Sequence, residues 1–92
     1  MIKAYVDYMI GEQKSSNTIT AYSKDVQQML DTIGKPEANI TYADLLSWKS
    51  NISGMASASV NRKIVAISGY FKFLHDVEII KSNPAANLKS VK

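Results

Sequence analysis

The sequence predicts an all-α fold, a four-helix bundle with short connections. Apolar residues recur at intervals of three and four along almost the whole chain, and no stretch alternates as a strand would. Glycine, proline and helix-capping residues interrupt that periodicity at regular distances.

Ile2, Tyr5, Val6, Met9 and Ile10 form the apolar face of a first helix that should end near Gly11. In a second, Ile19, Tyr22, Val26, Met29, Leu30 and Ile33 fall within an arc of about 100°. Gly34 offers a left-handed stop, and Pro36 follows where a helix could not continue. A third should start at Thr41, with Asp44 closing a capping box and Leu45, Leu46, Trp48 and Ile52 facing inward until Gly54.

The fourth helix is the longest, roughly Ser57 to Asp76. Val60, Ile64, Ile67, Phe71 and Leu74 make one stripe; Ala66, Tyr70, Phe73 and Val77 make a second beside it. A helix apolar over half its circumference belongs at the centre of the bundle. Asn83-Pro84 reads as a turn, and the last residues as a tail or linker. Burying about twenty large apolar side chains, each worth roughly 1.5–3 kcal/mol before entropy is subtracted, would hold such a domain together.

Composition narrows the function. The 92 residues are 46% hydrophobic and 21% charged, which describes one small globular domain. Without cysteine, and with His75 alone, neither a thiol nucleophile nor a zinc site of the finger type can be assembled. No cofactor is expected. The eight acidic residues are scattered, with no spacing that suits a metal or an acid–base pair. The five tyrosines mostly follow core periodicity. No apolar run reaches the roughly 18 residues of a membrane span, so no membrane partner is expected and a cytoplasmic setting fits. The net charge of +3 permits an anionic partner without demanding one.

The polar faces are more informative. On the fourth helix Ser57, Ser59, Asn61, Arg62, Lys63 and Ser68 are small or basic, and no acid occurs between Gly54 and Lys72. Gly69, Lys72, His75 and Asp76 continue that side. At the start of the second helix Lys14, Asn17, Thr20 and Lys24 lie off the apolar arc, with Ser15, Ser16 and Thr18 around the entry. Free backbone N–H groups and the positive end of the helix dipole suit a phosphate there. One hydroxyl should cap the helix and the others are free to meet an anionic surface. A solvated polar face would show the same residues, and Arg62 and Lys63 alone do not separate the two readings.

The stretch "SSNTITAYSKDVQQML" resembles the opening of the core-binding domain of tyrosine recombinases, the phage-integrase family. "SASVNRKIVAISGYFKFLHDVEIIKSNPAANLK" is similar to that domain's long final helix and closing Asn-Pro segment. The resemblance runs from about Ile2 to Lys89. It implies a SAM-like bundle, residues 1–89, followed at 90–92 by the start of a linker to a catalytic domain outside this chain. The domain would be one arm of a clamp on duplex DNA at the core recombination site. Lys14, Asn17, Thr18 and Ala21 on the second helix, and Ser57, Ser59, Arg62, Lys63 and Ser68 on the fourth, would face the DNA. Its implied partners are double-stranded DNA, the catalytic domain of the same parent chain, and other protomers in a DNA-bound tetramer. The chain itself would not be an enzyme. Many family members carry Arg or Lys where Ser68 and Gly69 stand, so the phosphate grip is lighter here. The competing expectation is a helical protein-interaction module that self-associates.

Overall fold

The computed structural model describes residues 1–91. Its elements are α1 (Ile2–Gly11), α2 (Ser16–Ile33), a single 3-10 turn at Glu37–Asn39, α3 (Tyr42–Asn51) and α4 (Ser57–Asp76). Among the described residues there is no strand.

The boundaries follow from local chemistry. Ser15 caps α2: its Oγ accepts from the Thr18 backbone N–H at 3.1 Å. Gly34 closes that helix at φ 69°, where its N–H reaches the Leu30 carbonyl at 2.8 Å. Thr41 and Asp44 form the expected reciprocal box, Asp44 N–H to Thr41 Oγ1 at 3.1 Å and Thr41 N–H to Asp44 Oδ2 at 3.0 Å. Lys35 adds an ammonium to the same carboxylate at 2.9 Å. Helix α3 stops at Asn51, three residues before Gly54, and Ile52 enters a turn.

Helix α4 contributes more buried side chains than any other element. Val60, Ile64, Ile67, Phe71 and Leu74 are buried, as are Ala66, Tyr70 and Phe73 of the second stripe. Against them pack Tyr5 and Met9 of α1, Val26 and Met29 of α2, and Leu45 and Trp48 of α3. The aromatic rings interlock, with Tyr5 edge-on to Tyr70 at 5.3 Å and Tyr8 stacked on Phe73 at 4.8 Å. At Gly69 the Tyr5 hydroxyl occupies the space: a Cβ there would lie 2.8 Å from its oxygen.

Some residues assigned to the core face water. Ile10, Leu46 and Val77 are exposed, because each lies at the edge of an apolar arc where no further helix covers it. Of the five tyrosines only Tyr5 and Tyr70 are buried; Tyr22 is half-buried, and Tyr8 and Tyr42 are exposed.

The chain after α4 folds back onto the bundle. Glu78 adopts φ 64° to reverse direction, and Ile80 and Ala85 are buried. Asn61 then grips the backbone of Val91 with both ends of its amide, Nδ2 to the carbonyl at 3.0 Å and Oδ1 from the N–H at 2.9 Å. Lys49 Nζ donates to the Lys89 carbonyl at 2.6 Å. Docking therefore extends through Val91, two residues beyond Lys89; Lys92, also assigned to the linker, lies outside the described residues.

Candidate nucleic-acid interface

The seam between α2 and α4 is organised by a buried carboxylate. Asp25 sits beside Met29 on the inner side of α2, and its side chain has no exposed surface. Burying that charge alone would be strongly unfavourable. Arg62 meets it with two parallel bonds, Nε to Oδ2 at 3.1 Å and Nη2 to Oδ1 at 2.9 Å. Lys63 Nζ adds a third at 2.8 Å and also donates to Gln28 Oε1 at 2.9 Å. The cluster combines two cations with one anion, and the excess positive charge emerges at Arg62, whose side chain is 47% exposed. Hydrogen bonding to Asp25, reinforced by its charge, holds the guanidinium still more firmly protonated than usual. Its Nη1 edge takes no part in the pair and remains available to a further acceptor.

Around Arg62 the two helices form an open groove lined by Asn17, Thr20, Ala21 and Lys24. A second groove continues between α1, α2 and α4, where Lys14, Tyr22, Val65, Gly69 and Lys72 are among the lining residues. Three carboxylates lie near these cations: Asp25, bonded as described, Asp76, bonded to Lys72 at 2.7 Å, and Glu12, against the Tyr8 hydroxyl.

The residues selected from sequence separate into three environments. Lys14, Asn17, Thr20, Lys24 and Arg62 converge on the grooves. Thr18 belongs to the cap, since its N–H and hydroxyl oxygen are both engaged by Ser15. Ser16 is exposed beside it. Lys63 is corrected from a surface cation to a buried one, its side chain 8% exposed. The reason is its position on α4, three residues after Val60 and four before Ile67, inside the apolar arc. Asn61 is committed to Val91, and at about 100° per residue Ser57 and Ser68 share its flank of the helix, turned away from Arg62. Ser57 lines a different groove, with Leu46, Lys49, Met55 and Val91. Ser59 is half-buried.

The role of Asp25 was missed in the sequence, although a signal existed. A carboxylate beside Met29 on the apolar arc needs a cationic partner, and Arg62-Lys63 is the chain's only pair of adjacent basic residues. The buried tyrosines are structural. Burial pushes the Tyr5 hydroxyl up to about 12, and burial with a bond to Glu37 raises that of Tyr70 as well. Neither is poised to lose its proton. No helix among the described residues is long and apolar enough to cross a membrane.

These features define a helical domain with one cation-lined seam, and comparison with known proteins places it. Residues 2–77 match the phage integrase N-terminal SAM-like domain, and the chain belongs to that family. It is 29% identical over 97 residues to a tyrosine recombinase of Thermosipho africanus, covering 97% of this chain and 34% of that protein. It is 33% identical over 93 residues to tyrosine recombinase XerC of Bifidobacterium longum, covering 95% and 26%. For tyrosine recombinase XerD of Rickettsia bellii the identity is 27% over 93 residues, covering 95% and 30%. The chain thus spans about a third or less of the length of these relatives. No solved structure matches it significantly.

Proposed function

We propose that this chain is the DNA-binding arm of a site-specific tyrosine recombinase, holding duplex DNA at the core site through the exposed start of α2 and the adjoining flank of α4. Strand cleavage would belong to a catalytic domain elsewhere in the parent protein, and DNA-bound protomers would assemble as a tetramer. One observation carries the reading: Arg62, fixed by Asp25, shares a groove with Asn17, Thr20 and Lys24, and Lys14 lies in the next groove. Guanidinium and ammonium groups suit phosphates, and Asn17 and Thr20 suit base edges or sugar–phosphate oxygens.

The test is binding of a duplex of about 20 base pairs, followed by fluorescence anisotropy between about 50 and 200 mM salt. If Lys14, Lys24, Arg62 and Lys72 neutralise about four phosphates, the log–log slope is about −3 to −4. Replacing Lys14 and Lys24 together by Ala should lower its magnitude by about 2. Lys81→Ala, an exposed change after α4, should leave it unaltered. An unchanged slope in the double variant would remove the groove from the interface. Self-association is supported by the exposed Tyr8 and Ile10 of α1, and sedimentation of the DNA-free chain measures it directly.

A further inference from the structure

Val65 differs from the other exposed aliphatic side chains in its surroundings. Isolated exposed aliphatics are ordinary on protein surfaces. This one, 49% exposed, stands on the outer ridge of α4, three residues after Arg62 and four before Gly69. Lys14, Lys72 and Tyr22 line its groove, and Arg62 and Lys24 line the adjoining one. The neighbouring surface is low. Gly69 carries no side chain because the Tyr5 hydroxyl fills that space, and Ala21 on α2 is small and half-buried. Tyr8 of α1, also exposed, lines the same groove, but Val65 is the exposed aliphatic side chain that α4 itself presents beside Arg62.

The charge of this face selects a polyanion. A partner that also rewards an apolar contact must offer carbon between its phosphates, at the depth of a helix side chain. Duplex DNA does so in the major groove, which admits an α-helix and displays the C5-methyl group of thymine. We infer that Val65 is a specificity-determining residue that seats against thymine methyl groups while Arg62, Lys14 and Lys72 hold the flanking phosphates. This rests on the DNA-binding reading above and adds to it a base preference.

The experiment compares an A·T-rich duplex of about 20 base pairs with the same duplex carrying uracil in place of every thymine. That exchange deletes the methyl groups and keeps the hydrogen-bonding edges and phosphates. The 92-residue chain should bind the uracil duplex about fourfold more weakly for each thymine contacted, the effect of one lost buried methyl. Val65→Ala should bind the two duplexes alike, with the salt slope of the unaltered protein. If the unaltered protein binds both equally, with a steep salt slope, the inference is overturned and the DNA-binding reading stands. If Val65→Ala keeps the preference for thymine, the methyl is read by another residue and the assignment fails. Absence of binding to either duplex at low salt overturns both.

Discussion

The two flanks of α4 are held by different kinds of interaction, although the residues responsible are neighbours in sequence. Towards α2, Arg62 and Lys63 close on the buried Asp25 through side-chain ion pairs. Towards the C-terminal segment, Asn61 holds the backbone of Val91, and Lys49 and Tyr42 reach the carbonyls of Lys89 and Asn87. The first flank demands particular partners, because a buried charge tolerates nothing but compensation. The second asks only for a backbone, so it constrains the sequence of the tail far less. That difference separates what must be kept for folding from what merely steers the chain as it leaves the bundle.

Removing the central carboxylate gives the largest expected effect. Asp25→Ala would leave the Lys63 ammonium buried beside Gln28 alone, and should destabilise the domain by about 3–5 kcal/mol in urea unfolding. A loss below about 1 kcal/mol would show that water reaches the seam and that the two flanks differ little. The same argument makes Arg62→Ala plus Lys63→Ala a poor probe of DNA contact, since it would strip Asp25 of both cations.

A pair of changes at Gly69 tests the packing behind the groove. Gly69→Ala should destabilise by about 1–2 kcal/mol, since the new Cβ meets a buried tyrosine hydroxyl. With Tyr5→Phe in the background, the same change should stabilise by about 0.5–1 kcal/mol through helix propensity. Two effects of equal sign would place the constraint somewhere other than the hydroxyl.

On the opposite flank, Asn61→Ala should cost about 1 kcal/mol and speed amide exchange at Val91. Affinity for DNA should be unchanged. A matching loss of affinity would join the two flanks into one functional surface.

The smallest effect is at the start of α3. The bond from the Thr41 backbone, then that from Lys35, holds Asp44 below its ordinary value of 3.8. A carboxylate depressed on folding contributes stability above that value and loses it as pH falls further. Amide exchange in the first turn of α3 should therefore rise below about pH 4, while α2, whose cap is a serine, stays protected. Equal fraying of both helices would point to global acid unfolding instead.

The order and type of all four helices were legible in the sequence, since each signal is local. Ser15 before α2, Gly34 after it, the Thr41–Asp44 box and the long double stripe of α4 act within one or two turns, where spacing alone fixes geometry. The candidate interface was legible only in part. Lys14, Asn17, Thr20, Lys24 and Arg62 could be picked out as small or basic residues off the apolar arcs. The charge of Lys63 points to the surface although its register is apolar, and Asp25 reads as one scattered acid among eight. Their pairing spans 38 residues, and which acid a cation meets depends on how two helices pack. The same holds for Asn61, whose partner at Val91 is 30 residues away. Local periodicity and capping energies act on neighbours along the chain, so the sequence alone determined the helices and their apolar faces. Only the tertiary structure decided the fate of three adjacent polar residues, because burial of Lys63, exposure of Arg62 and the docking of Asn61 arise from surfaces that meet after the helices have formed.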